Sequence, residues 1–167
     1  MTRAAQHLGE SIRAVLTPDL LKPAFRRQAA GRARTFGHCY AASEAAYHLL
    51  GGKRAGWTPQ SIRHEGFPHW FLRHRSGEVL DLTGDQFSTP VPYEDAVGKG
   101  FLTREPSARA RQIMARVAGR RMGSGRGSSR WEPDLRLGDT SADVASHLAE
   151  ADAEARAYDA RRRRASR

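Results

Sequence analysis

Cysteine is nearly absent from this 167-residue chain, which contains only Cys39. A single cysteine cannot close a disulfide within the chain, so a fold stapled by internal disulfides is excluded. We therefore expect a reducing, cytoplasmic setting in which the Cys39 thiol is free for chemistry.

Long apolar runs are missing as well, because no stretch of about 18 apolar residues occurs. We therefore expect no membrane span and no membrane partner. Residues 1–16 lack the uninterrupted apolar core and the small-residue cleavage site of a signal peptide, so none is expected. Aromatic residues make up only 8%, but an apolar fraction of 39% and this length suffice for one domain with a core.

Lysine is scarce, while arginine is abundant. The chain has 28 basic and 18 acidic residues, which gives a net charge of +10, and its only lysines are Lys22, Lys53 and Lys99. A composition this basic favours an acidic partner, and nucleic acid is the first candidate.

Two helices are predicted in the first third of the chain. Residues 3–16 place Leu8, Ile12, Val15 and Leu16 on one helical stripe. The second helix is Ala-rich and opens at Cys39. Its predicted apolar face comprises Ala42, Ala45, Ala46 and Leu49. Its predicted stop signal is Gly51-Gly52.

A thiol at a helix start suits nucleophilic chemistry. Backbone N–H groups at a helix N-terminus favour the thiolate and can hold the oxyanion of a tetrahedral intermediate. We therefore consider Cys39 a candidate nucleophile and its N–H half of an oxyanion hole. The alternative is that Cys39 is a small buried hydrophobe, as most lone cysteines are.

Residues 53–66 are interpreted as a loop with a buried Trp57, and the stretch after them as a hairpin with strands over 69–74 and 78–83. A two-residue loop, Ser76-Gly77, would put His69 and Asp81 on opposite faces of the sheet. A three-residue loop over 75–77, with Gly77 left-handed, would put them on one face as a diagonal pair. In that register Asp81 can orient His69, which can take the proton from Cys39. The alternative is a half-buried strand histidine and a carboxylate that binds backbone in a turn.

The sequence has a cysteine at a helix start, then His69-Trp70 on a strand, then Leu-Asp-x-Thr after a short turn. This order of residues resembles the transglutaminase-like branch of the papain-like thiol enzymes. The resemblance covers about residues 36–87. It implies attack by Cys39 on an amide or ester carbonyl, with His69 as base and Asp81 as the orienting carboxylate. Tyr40 stands where that family often has tryptophan beside its cysteine, and the usual family domain is larger.

Three further residues are candidates for contact with a substrate or an oxyanion, namely Tyr40, Trp70 and Gln86. The alternative for Gln86 is that the segment GDQF caps a turn, with Asp85 binding backbone N–H groups. No cofactor or metal is predicted, because the histidines and Cys39 show no metal-ligand spacing and the chain has no phosphate-binding glycine motif.

Composition shifts near residue 119. We predict an α+β domain over residues 1–118, in which the Cys39 helix packs on a small antiparallel sheet and a helix spans 106–117. A Gly/Ser/Arg linker over 119–132 and a basic helical tail over 133–167 follow. The tail ends in Arg161, Arg162, Arg163 and Arg164, candidates for phosphate contact.

Two functions therefore remain open from the sequence. The first is a cysteine-dependent hydrolase or acyltransferase acting through a thioester. The second is a non-enzymatic nucleic-acid-binding protein of phage or mobile-element type, in which the hairpin is merely core.

Overall fold

The computed structural model describes residues 2–123, which form an α+β fold. Within that range the α-helices are α1 (Arg3–Val15), α2 (Pro23–Arg26), α3 (Cys39–Leu49) and α4 (Ala108–Gly123). The strands are β1 (Trp57–His64), β2 (Phe67–His74), β3 (Val79–Leu80) and β4 (Val97–Gly98). Short 3-10 helices occupy Pro18–Leu20, Gly52–Ala55, Gly84–Gln86 and Tyr93–Asp95.

Helix α1 follows the predicted stripe. The Thr2 hydroxyl caps it by accepting a hydrogen bond from the Ala5 N–H at 3.3 Å. Its apolar residues lie in the core, together with the leucine that follows the helix: Leu8, Ile12, Val15 and Leu16. The prediction for this segment is confirmed.

Helix α3 begins at Cys39, as predicted. It ends at Leu49, and Gly51 follows with a left-handed φ of 86°, which confirms the glycine stop signal. The predicted apolar face is right at its alanines and wrong at Leu49, which is 37% exposed. The reason is that α3 is buried nearly all round as far as Ala46 and leaves the core in its last turn.

The strands form one antiparallel sheet in the order β3-β2-β1-β4. The predicted loop over 53–66 is wrong, because β1 pairs with β2 along its whole length. Pro59, which lacks an N–H, weakens the strand signal in the sequence. In the fold its carbonyl accepts a hydrogen bond from the Lys99 N–H at 3.0 Å. Trp57 is buried, as predicted.

The turn between β2 and β3 has the three-residue loop. Leu72 lies opposite Leu80, and the His74 N–H donates to the Glu78 carbonyl at 2.8 Å. Gly77 has a φ of 90°, which only glycine adopts readily. The register that places His69 and Asp81 on one face is therefore confirmed, although β3 is shorter than predicted and ends just before Asp81.

Helix α3 packs on the sheet and α4 packs on α3, which confirms the predicted fold class. The Ser43 hydroxyl donates to the Trp70 carbonyl at 2.9 Å and joins α3 to β2. The Glu44 carboxylate accepts hydrogen bonds from the Ser107 N–H and hydroxyl, which joins α3 to the start of α4. These bonds hold the middle of α3 between the sheet and the start of α4.

Helix α4 starts two residues later than predicted and runs to Gly123, so residues 119–123, expected to begin a linker, are helical. The rest of the predicted linker and the basic tail, including Arg161, Arg162, Arg163 and Arg164, lie outside the described residues. Over residues 2–123 no helix combines the length and apolar character needed to cross a bilayer.

Candidate active site

The Cys39 thiol lies at the first position of α3 and faces the start of β2. Its Sγ donates to the Pro68 carbonyl at 3.6 Å. The first backward hydrogen bond of the helix runs from the Ala42 N–H to the His38 carbonyl, at 2.9 Å. The N–H groups of Cys39 and the next two residues therefore precede the intrahelical ladder, where helix starts can bind anions.

His69 and Asp81 form a buried pair. The His69 Nε2 lies 2.7 Å from the Asp81 Oδ2, and their side chains are 0% and 6% exposed. Asp81 is itself held in place, since its Oδ1 accepts from the Thr83 N–H and its Oδ2 accepts from the Tyr93 hydroxyl, both at 2.9 Å. An aspartate with this many donors can fix both the tautomer and the orientation of the imidazole.

The protonation of His69 is governed by its two neighbours. Burial lowers its pKa, but hydrogen bonds with Asp81 and Cys39, and the charges of both, outweigh burial and raise the pKa to about 9. Because Asp81 occupies Nε2, the nitrogen left for the Cys39 thiol is Nδ1. The three residues therefore have the order of a thiol, a base and an orienting carboxylate.

Gln86 connects the base to the loop before Cys39. Its Oε1 accepts from the Gly37 N–H at 3.3 Å, and its Nε2 donates to the Thr83 carbonyl at 2.9 Å. The same Nε2 lies 3.3 Å from the His69 Nδ1. These partners point an amide N–H at Nδ1, and that contact is a hydrogen bond only while Nδ1 carries no proton. Transfer of the thiol proton to Nδ1 therefore requires the Gln86 amide to release the ring.

Asp85 does not act as a simple turn cap. Its carboxylate accepts two hydrogen bonds from Arg13, at 3.0 and 2.8 Å, and one from the Thr35 hydroxyl, at 2.8 Å. Arg13 also donates to the Leu82 carbonyl at 2.6 Å. The expectation that Asp85 chiefly binds backbone N–H groups is corrected, because Arg13 of α1 approaches from a distant part of the chain.

Tyr40, the residue after Cys39, packs with Trp70 in an aromatic cluster. Their rings meet edge to face at 5.1 Å, and Phe101 stacks on Trp70 at 5.7 Å. The Tyr40 hydroxyl accepts from the Leu102 N–H at 2.9 Å, and burial raises the pKa of Tyr40 to about 12. The Tyr40 side chain is therefore neutral at pH 7, and its hydroxyl is already hydrogen-bonded to the Leu102 N–H.

Sequence reasoning missed Tyr93 and His38. Tyr93 lies in a proline-flanked segment that carries no signal of its hydrogen bond to Asp81. His38 is 1% exposed, and neither ring nitrogen has a hydrogen-bond partner among the described residues. Burial lowers the pKa of His38 to about 4, so this histidine is neutral at pH 7.

No group of three histidine, cysteine, aspartate or glutamate side chains that could hold a metal ion occurs in the described part of the chain. Comparison of the sequence with family models, with curated proteins and with solved structures found no match. The feature of this chain that bears on its function is therefore the geometry of Cys39, His69 and Asp81.

Proposed function

We propose that this protein is a cysteine-dependent hydrolase or acyltransferase that acts on an amide or ester through a thioester on Cys39. The observation that supports the proposal is the buried His69, whose Nε2 lies 2.7 Å from the Asp81 Oδ2, next to Pro68, whose carbonyl accepts from the Cys39 thiol at 3.6 Å. A fully buried histidine between a carboxylate and a thiol is the arrangement that activates a sulfur nucleophile.

The reaction begins when His69 Nδ1 takes the thiol proton and Sγ attacks the substrate carbonyl carbon. The carbonyl oxygen becomes an oxyanion, which the Cys39 N–H at the helix start can stabilise. The amide of Gln86, released from the protonated ring, is a second donor within the same site. His69 then protonates the leaving amine or alcohol as the C–N or C–O bond breaks, and a thioester remains.

The second half regenerates the thiol. His69 removes a proton from water or from an acceptor amine or alcohol, whose oxygen or nitrogen attacks the thioester carbon. The C–S bond breaks, and the proton held by His69 returns to sulfur. Water gives hydrolysis and another acceptor gives acyl transfer. This residue set agrees with the resemblance to transglutaminase-like enzymes, and a reducing compartment such as the cytoplasm would preserve the thiol.

The test is the rate of Cys39 alkylation by iodoacetamide between pH 4 and 10, followed by intact mass. Because Cys39 is the only cysteine, no other thiol contributes. We expect His69→Ala to lower the rate at pH 6 by about tenfold or more, because the thiolate is the reactive form and the imidazole that takes the thiol proton is gone. His7→Ala, which removes an exposed histidine of α1, is the matched control. Equal profiles in all three proteins would reject the thiol-enzyme proposal.

A second candidate is a nucleic-acid-binding protein, and the net charge of +10 and the terminal arginine run favour it. It predicts that glutamine at Arg161, Arg162, Arg163 and Arg164 abolishes salt-dependent binding to a DNA duplex. It also predicts that Cys39→Ala changes no biological activity.

A further inference from the structure

The tip of the hairpin between β1 and β2 has an unusual backbone. Glu65 and Gly66 join the two strands, and both are left-handed, with φ values of 47° and 82°. Two left-handed residues make the tight turn that suits the twist of a hairpin, and asparagine, aspartate or glycine is usual at the first of them. Between residues 2 and 123, Glu65 is the only residue other than glycine with a positive φ. The turn alone therefore does not account for a glutamate at this position.

The Glu65 carboxylate binds the far end of residues 86–89, which we call the cover segment. Its Oε1 accepts from the N–H and the hydroxyl of Ser88, at 2.9 and 2.7 Å, and from those of Thr89, at 2.8 and 2.9 Å. The His64 Nε2 adds contacts of 3.1 Å to the Thr89 carbonyl and to its hydroxyl. The hydrogen bonds to the carboxylate, that of the Ser88 hydroxyl above all, lower the pKa of Glu65 to about 2. The carboxylate is therefore ionised at neutral pH and ties the hairpin tip to the cover segment.

The near end of the cover segment lies on the base of the candidate active site. The Gln86 Nε2 is 3.3 Å from the His69 Nδ1. The Phe87 ring meets the His69 ring edge to face at 4.8 Å between ring centres, and it meets the His64 ring of the hairpin tip at the same distance. The His69 side chain is 0% exposed. Two consecutive residues of the cover segment therefore contact the imidazole, and one of them occupies the nitrogen that the proposed reaction needs.

We infer that Glu65 is a positioning residue that keeps the cover segment closed over His69 until a substrate displaces the segment. The inference rests on the thiol chemistry proposed above and gives the regulation of its site. Nδ1 can take the thiol proton only in molecules in which the Gln86 amide has left it. Hydrogen bonds that stabilise the closed arrangement therefore lower the fraction of reactive molecules, and their loss raises that fraction.

Glu65→Gly tests the inference, because glycine suits the left-handed turn and only the carboxylate arm is lost. We expect this variant to raise the rate of Cys39 alkylation by iodoacetamide about three- to tenfold, the effect of losing hydrogen bonds from the closed arrangement. Glu65→Gln keeps Oε1 as an acceptor and should raise the rate less. The double variant Ser88→Ala, Thr89→Val keeps the Glu65 charge, removes two of its donors and should raise the rate as well. Glu10→Ala, which removes an exposed carboxylate of α1, should match the wild type.

Hydrogen exchange of the Gly37 N–H is a second measurement, and it does not depend on thiol reactivity. That N–H donates to the Gln86 Oε1 at 3.3 Å, so its exchange should accelerate when the cover segment opens. The inference requires both changes in Glu65→Gly. Faster alkylation with unchanged Gly37 exchange would overturn it, because the lost charge alone would then explain the rate, and an unchanged alkylation rate would overturn it as well.

The two proposals fail in different measurements. Alkylation that does not depend on His69 rejects the thiol-enzyme proposal, whereas unchanged Gly37 exchange in Glu65→Gly rejects the role of Glu65. Thermal unfolding of each variant verifies that it is folded. If Glu65→Gly does not fold, the double variant at Ser88 and Thr89 decides by the same two measurements.

Discussion

Replacing Asp81 with asparagine removes the charge that orients His69 and keeps the size of the side chain. The new amide would retain an oxygen toward the Thr83 N–H, which donates to Oδ1 at 2.9 Å. Its NH2 would then stand where Oδ2 now accepts from the Tyr93 hydroxyl and faces the His69 Nε2. A donor facing Nε2 forces the ring proton onto Nδ1, where the N–H of Gln86 already points.

The expected effect has two parts. A hydrogen bond to a charged partner contributes about 1.5–3 kcal/mol, so Asp81→Asn should lower the free energy of unfolding by about that amount. Burial is the largest influence on His69 and lowers its pKa, so that pKa falls from about 9 once the opposing charge of Asp81 is removed. The ring then no longer accepts the thiol proton, and alkylation of Cys39 at pH 6 should slow about tenfold or more.

Urea unfolding measures the loss of stability, and iodoacetamide kinetics measures the loss of thiol reactivity. Nitrogen-15 chemical shifts of His69 report its tautomer directly. Asp95→Asn, an exposed carboxylate close to Tyr93 in sequence, is the control and should match the wild type in all three. A folded Asp81→Asn variant with the wild-type tautomer of His69 and the wild-type alkylation profile would refute this role of Asp81.

Three further predictions concern the support of the site. The folded-state pKa of His38 is depressed to about 4, so its neutral form stabilises the fold above the unfolded pKa of about 6.5 and that stability is lost as pH falls toward 4. His38→Gln should therefore flatten this part of the pH dependence of unfolding, by up to about 3 kcal/mol, and an unchanged slope would contradict the assignment. Gly84→Ala would place a Cβ 2.8 Å from the Asp81 Oδ2 and should slow alkylation of Cys39 at pH 6. Gly100→Ala, at an open position, should not slow it. Equal alkylation rates in the two variants would show that the loop moves to accommodate the added methyl group. Ile12→Ala removes a fully buried side chain and should lower the free energy of unfolding in urea by about 2–5 kcal/mol, and a loss below about 1 kcal/mol would place Ile12 outside the core.

Several features of the fold could be predicted from the sequence because they depend on residues close together along the chain. Cys39 opens α3 because the chain ahead of it is glycine-containing and the Ala-rich segment after it favours helix. Gly51 ends the helix because it adopts the left-handed conformation without strain. Gly77 does the same in the three-residue loop, and the loop fixes the pairing of β2 with β3. The common face of His69 and Asp81 followed from that pairing.

Other features depended on partners far away along the chain. β1 carries Pro59 and alternates poorly, and pairing with both β2 and β4 makes it a strand. Leu49 fits an apolar periodicity but lies in the last turn of α3, where the helix is no longer buried, and is 37% exposed. The apolar periodicity of a segment predicts which of its faces can be buried, but it does not predict how far the neighbouring elements extend over that face.

The detailed contacts of the candidate active site also depend on residues far apart along the chain. Tyr93 reaches Asp81, and Gln86 links the ring of His69 to Gly37, through contacts that no local pattern encodes. The start of α4 lies on α3 because Ser107 donates two hydrogen bonds to the Glu44 carboxylate. The sequence by itself determined a thiol at a helix start and a histidine and an aspartate on one hairpin face, because turns and helix ends are set by neighbouring residues. Only the tertiary structure decided that the three groups meet and what surrounds them, because that depends on how separate elements pack.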